Sequence, residues 1–251
     1  MKLLPHFLWI SWILERAVKL VIQNMNDFSI ALLGDSVFSR WGEKCPELGA
    51  ELSRLYTRST FQIQNHGLDG SRVGNALSRI GADYDKDGHM VRHLAYSNPG
   101  VVILDSCSYS QFWDGPEGLT EYRDLLRRVW DEIGHTTTAK AIFYLAAPPP
   151  RDRFLDGVPL FSNTSKATRA RFADGVAMFL EEARSIVIDE GWPHADAGEE
   201  LQKVVAEGAS IRRYFDQNDS FHPSRFGYEL AAKVIARALD NNRFINEVME
   251  R

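Results

Sequence analysis

Phe28-Ser29-Ile30-Ala31-Leu32-Leu33-Gly34-Asp35-Ser36 is the stretch that decides the fold. Residues 28–33 are almost continuously apolar, which reads as a strand buried on both faces. A strand covered on both faces belongs to a parallel sheet with helices on either side. The run ends in Gly-Asp-Ser, which sets a serine hydroxyl at the carboxyl edge of that sheet. Open α/β sheets hold their chemistry at this edge. The competing reading of Ser36 is a helix N-cap, a position serine favours.

Working outward, strands alternate with helices. Residues 46–55 have helical spacing, with Leu48, Leu52 and Leu55 on one side and Pro46 in the first turn. Residues 60–65 alternate as a second strand and lead into a glycine-rich turn, His66 to Ser71. A helix is expected over 72–80 and a second helical stretch over 90–96. Val101 to Leu104 is strand three, 120–133 a helix, and 140–146 strand four, stopped by Pro148-Pro149-Pro150. A long helix follows over 165–184. The fifth strand has two candidates, 185–189 and 211–215. A closing helix spans 223–241, with Phe226, Leu230, Ala231, Val234, Ile235 and Leu239 at core spacing. The alternation predicts one α/β domain over 25–251 with a parallel sheet of about five strands.

Composition narrows the function. The net charge of −5 and the lack of a basic run exclude an electrostatic nucleic-acid binder. Two cysteines, Cys45 and Cys107, make neither a disulfide framework nor a metal pattern. Residues 1–24 stand apart. An apolar run from Leu3 to Leu14 is followed by Glu15, Arg16 and Lys19, too soon for a comfortable span. Ser11, Glu15, Lys19 and Gln23 form one polar stripe. This suits a helix on a membrane surface or packed on the domain; the alternative is a chain that starts at Met25. The expected location is cytoplasmic or membrane-surface, with secretion left open by the weak signal-like character.

Near the other end stands Asp219-Ser220-Phe221-His222-Pro223. It offers an acid and a base three residues apart, the parts a serine needs to become a nucleophile. Its bland reading is an aspartate capping the closing helix beside a solvated histidine. Ser36 ends the first strand, the turn Asn65 to Gly70 ends the second, and Asp219-x-x-His222 precedes the last helix. All three are expected along one sheet edge.

These residues resemble those of the SGNH (GDSL-type) hydrolase superfamily. Its first block matches at Gly34-Asp35-Ser36, its second at Asn65-x-Gly67-x-x-Gly70, and its last at Asp219-x-x-His222-Pro223. The similarity runs over 28–240 and implies a flavodoxin-like three-layer α/β/α sandwich. It also implies Ser36 as nucleophile, His222 as base, Asp219 as its orienting acid, and the Ser36 and Gly70 amides as oxyanion donors. The superfamily's third block carries an asparagine whose side chain donates to the oxyanion. Here the segment reads Leu104-Asp105-Ser106-Cys107-Ser108-Tyr109. Ser108 sits nearest that position, with a shift of one residue left open, and there a hydroxyl would stand in for the amide. The Ser106-Cys107 pair with Glu121-Tyr122-Arg123 is similar to the PC-esterase branch, which acts on acylated glycans or glycoproteins.

The resemblance implies a metal-independent and cofactor-free esterase for small acyl esters: acetylated glycans, short-chain lipid esters or thioesters. Two rivals remain: a lapsed member that binds an acylated glycan or a protein partner, and a phosphate-binding domain using the Gly34 turn as an anion nest. Tyr109 and Trp113, with Phe112, are candidates for lining a substrate pocket, and Phe154, Leu155 and Phe161 for a lid. His89 and His93 are four apart on an expected helix, a weak metal pair. Cys107 is a remote alternative nucleophile, and Arg40 and Arg72 read as surface charges.

Overall fold

The structure, a computed structural model, describes residues 26–249. The expectations for residues 1–24 lie outside the described residues. Five parallel strands form the centre: β1 (Asn26–Gly34), β2 (Ser59–Gly67), β5 (Val101–Asp105), β6 (Lys140–Leu145) and β7 (His194–Asp196). Their order is β2-β1-β5-β6-β7, with every pairing parallel. Helix α2 (Pro46–Leu55) packs against α9 (Arg225–Asn241). Helices α3 (Val73–Gly81), α6 (Leu119–Thr136) and α7 (Lys166–Asp189) pack in sequence with one another. The result is the three-layer α/β/α sandwich read from the alternation of strands and helices.

The central strands are apolar because both faces are covered. All five residues of β5 are buried, as are Ile30 to Leu33 of β1. Register aligns Gly34 with Gly67 and Leu33 with Leu104. The chain therefore leaves β1, β2 and β5 at one level of one edge. A short helix, α1 (Ser36–Ser39), begins there.

Three local expectations are corrected. The fifth strand is neither candidate. Residues 185–189 are the last turns of α7, where Ala183, Ile186 and Val187 continue its buried stripe. Ile211–Tyr214 is a 3-10 turn. The strand is the three-residue β7, too short and too polar to show a period. Residues 90–96 are not one helix. Strands β3 (Tyr84–Lys86) and β4 (His89–Val91) form an antiparallel hairpin, and only α4 (Leu94–Ser97) is helical. Asp87-Gly88 explains this: both residues take positive φ, +55° and +80°, as a tight hairpin turn demands. Phe226 is not core. It is 40% exposed, and the Arg213 guanidinium lies over its ring. Tyr228 takes the inward place on α9.

Candidate active site

Ser36 sits at the first turn of α1 without capping it. Asp35 is the cap, its Oδ1 accepting from the Val37 N–H at 2.9 Å. The Ser36 hydroxyl is thus left unclaimed by the backbone. It lies 2.9 Å from His222 Nε2, although the two residues are 186 positions apart. The other ring nitrogen, Nδ1, lies 2.7 Å from Asp219 Oδ2. Asp219 does not cap α9 either; Ser224 does, accepting from the Gly227 N–H. So both bland readings of the motifs fail, because neighbouring residues fill those roles.

Asp219 is held on several sides. Its Oδ1 accepts from the backbone N–H groups of Phe221 (2.8 Å) and His222 (3.0 Å). Its Oδ2 also accepts from Arg40 Nη1 at 3.1 Å, so Arg40 is more than a surface charge. Burial works to raise the Asp219 carboxyl, but the hydrogen bonds and charge of His222 outweigh it and hold the group below its ordinary value. The imidazole is fixed in turn by the Phe221 ring, 4.3 Å away at 69°.

The turn after β2 is built by close approach. Asn65 Nδ2 donates to the Phe38 and Gly42 carbonyls, and its Oδ1 accepts from the Gly67 N–H. A Cβ on Gly67 would stand 2.4 Å from the Ser39 nitrogen, so only glycine fits. Gly70 has φ +68°, the left-handed region that favours glycine. Among the described residues, the backbone N–H groups of Ser36 and Gly70 donate to no other protein group.

Ser36, Gly70 and His222 share a cavity of about 370 Å³. Its walls carry Tyr109, Phe112, Trp113, Leu155, Phe161 and Phe221, with Arg40, Asp69, Arg72 and Ser110 among the polar members. The two expected pocket residues, Tyr109 and Trp113, are both present. The Tyr109 hydroxyl is tied to the Ala147 carbonyl and its ring stacks on Phe221, so it offers a fixed apolar face. Trp113 is 51% exposed and stacks on Phe161. Phe154 is buried beneath the wall rather than lining it. Arg72 pairs with Asp114 at 2.7 Å.

Ser108 is a correction. It is fully buried, does not line the cavity, and shares a 3.1 Å hydrogen bond with the Tyr122 hydroxyl. The chain turns at Cys107, φ +55°, and that turn directs Ser108 inward. Ser110, two residues on, lines the cavity instead, and its side chain makes no hydrogen bond to the protein among the described residues. Cys107 is buried, which pushes its thiol well above the ordinary value and leaves it protonated. His89 is exposed on β4, and His93 pairs with Asp83 at 2.8 Å, so they do not share a helix face. Among the described residues no cluster of three or more His, Cys, Asp or Glu is placed to hold a metal.

Sequence reasoning missed a pair of buried carboxyls under the serine. Asp35 and Asp105 are both fully buried. Asp105 Oδ2 accepts from the Cys107 N–H at 3.1 Å and from the Asp35 N–H at 3.5 Å. Burial, then the charge of Asp105, pushes Asp35 well above its ordinary value. Burial lifts Asp105 to about 6, opposed by the hydrogen bonds it accepts. Burial thus pushes both carboxyls upward, Asp35 the further. A Cβ on Gly34 would stand 2.6 Å from the Asp105 Cβ, so the glycine makes room for that carboxyl.

Solved structures share this architecture. A lipase/acylhydrolase from Enterococcus faecalis superposes with TM-score 0.59 at 16% identity, covering 86% of this chain and 96% of its own. The fold is that of the SGNH (GDSL-type) hydrolases. An acetylxylan esterase from Geobacillus stearothermophilus matches with TM-score 0.55 at 14% identity, over 86% of this chain and 95% of its own. A protein described as a GDSL-like lipase from Parabacteroides merdae matches with TM-score 0.55 at 15% identity, over 86% and 97%. No family model and no curated protein matches the sequence. At such identities the likeness to SGNH hydrolases is one of fold. The site residues above stand on their own geometry.

Proposed function

We propose that the protein is a serine ester hydrolase that works through an acyl-enzyme on Ser36. One observation carries the reading. Ser36, His222 and Asp219 form a continuous hydrogen-bonded relay, 2.9 and 2.7 Å, that ends at the floor of a cavity. Structure neighbours that are esterases and acylhydrolases support it at the level of fold.

The chemistry follows from the groups present. A serine hydroxyl does not ionise at neutral pH, so it needs a base at hydrogen-bond distance. His222 Nε2 takes the Ser36 proton as Oγ attacks the ester carbonyl. Asp219 holds the ring with its proton on Nδ1 and stabilises the imidazolium. The negative charge that develops on the carbonyl oxygen is received by the Ser36 and Gly70 N–H groups, each worth roughly 3 kcal/mol of barrier. Ser110 Oγ is the third donor, in place of the expected Ser108. The intermediate collapses, His222 protonates the departing alcohol, and water then releases the acyl group by the same route. The apolar wall of Tyr109, Leu155 and Phe221 suits a small acyl group, and the exposed Trp113 suits the ring of a sugar alcohol.

The rival of a lapsed, binding-only member predicts no turnover. Wild-type protein is expected to hydrolyse p-nitrophenyl acetate steadily, and His222→Ala to lose at least a thousandfold in kcat. Wild-type protein that binds acetylated oligosaccharide without releasing acetate would favour the rival.

A further inference from the structure

Helix α3 buries Val73, Ala76 and Ile80 at helical spacing, and Arg79 on the same inner stripe. Arg79 is 1% exposed. Its Nη2 donates to two acceptors at 2.8 Å each, the Gly34 carbonyl and Ser71 Oγ. Nε and Nη1 are buried and have no hydrogen-bond partner. Among the described residues Arg79 forms no salt bridge. The Tyr84 ring lies 5.6 Å from the guanidinium carbon. Burial lowers its pKa from the ordinary arginine value, but a guanidinium stays charged in any such setting. A buried and unpaired cation is among the costliest groups a core can hold. For stability alone, the stripe calls for Leu or Met at this position.

The two acceptors are the informative part. Gly34 stands two residues before Ser36, and Ser71 directly follows Gly70. One nitrogen therefore bridges the two segments that bring Ser36 and Gly70 to the same cavity. The Gly34 carbonyl also accepts from the Leu68 N–H at 3.2 Å, so the bridge closes a ring around the turn 68–71. We infer that Arg79 is a positioning residue for the proposed reaction: it fixes the separation of the Ser36 and Gly70 amide donors and places a buried positive charge behind the developing oxyanion. Fixed charge in a water-poor interior acts more strongly than in solvent and needs no reorganisation as the reaction proceeds.

This inference rests on the ester-hydrolase reading, and the experiment separates the two. Wild-type protein is first labelled with a fluorophosphonate probe and assayed on p-nitrophenyl acetate. Failure of both removes the hydrolase reading and this inference with it. Given activity, Ser71→Ala, Arg79→Met and Arg79→Lys are compared for kcat, KM, melting temperature and inhibition by a small trifluoromethyl ketone, which forms a tetrahedral adduct on the serine. Ser71→Ala cuts the Arg79 bond, together with the long 3.4 Å bond from Ser71 Oγ to the Arg72 carbonyl, and leaves the charge. It is expected to lower kcat about tenfold, with KM within about twofold and ketone affinity falling by the same factor as kcat/KM. Arg79→Met is expected to lose about a hundredfold or more, the scale of one lost oxyanion donor. Because a single nitrogen makes both bonds, Arg79→Lys is expected to recover to within about tenfold of wild type. Folded Ser71→Ala with wild-type kcat and ketone affinity overturns the inference, even where Arg79→Met fails to fold. A loss of ketone affinity smaller than the loss of kcat/KM would overturn it too.

Discussion

Replacing Asp219 by asparagine changes one atom in size-neutral fashion, yet the structure predicts a collapse of the proposed relay. The asparagine oxygen has one good place to sit. The Oδ1 position accepts two backbone N–H groups, from Phe221 and His222, at 2.8 and 3.0 Å. The amide nitrogen must then occupy the Oδ2 position, where it meets two donors, His222 Nδ1 and Arg40 Nη1. Flipping the amide would abandon both backbone bonds. His222 resolves the conflict by moving its proton to Nε2, which turns Nδ1 into an acceptor. Nε2 then points an N–H at Ser36 Oγ and cannot take its proton. Loss of the right tautomer costs on the order of 10⁴ in kcat, or about 5.5 kcal/mol of barrier at 1.36 kcal/mol per decade. The fold should lose only about 1–2 kcal/mol, from weaker hydrogen bonds. The assay is kcat/KM on p-nitrophenyl acetate beside the rate of fluorophosphonate labelling and a thermal melt. An Asp219→Asn protein that is folded and keeps more than a tenth of wild-type kcat/KM refutes the reasoning.

Three further outcomes are expected. In Asp35→Asn, a neutral isostere replaces a carboxyl that burial and the neighbouring Asp105 charge push well above its ordinary value. The raised carboxyl favours the folded state fully below about pH 4 and loses that contribution as pH rises, by up to about 1.4 kcal/mol per unit. Urea unfolding should therefore show Asp35→Asn gaining on wild type as pH rises from 4 to 7, and parallel curves would contradict the raised Asp35 carboxyl. Gly67→Ala sets a Cβ 2.4 Å from backbone that has no room to yield. A loss of roughly 1–3 kcal/mol is expected, which is about 3–10 °C in Tm for a chain of this size; an unchanged melt would be wrong for this packing. Ser110→Ala should lower kcat about a hundredfold at constant KM, while Ser108→Ala leaves kcat within twofold, and the reverse pattern would restore Ser108 to the oxyanion site.

The sheet was legible because its strands are buried on both faces, which writes them as apolar runs such as 28–33 and 101–104. β7 escaped because three residues at a sheet edge carry no period. The hairpin 84–91 was written in Asp87-Gly88, a turn signal that outweighs helical spacing in the residues after it. Ser36, Asp219 and His222 were readable since each lies in a short motif at an element boundary. The Asp35–Asp105 pair was not, because a contact between strand ends 70 residues apart depends on register. Ser110 was hidden by the left-handed turn at Cys107, which shifts the count by two. Arg79 did leave a trace: a charged residue stands on an otherwise apolar helical stripe at 73, 76 and 80.

Mass spectrometry of the intact protein after fluorophosphonate treatment tests the central claim most directly. A single adduct, mapped to the peptide carrying Ser36 and absent from Ser36→Ala and His222→Ala, is the result the relay predicts. An unlabelled wild type, or an adduct that persists in Ser36→Ala, would contradict it.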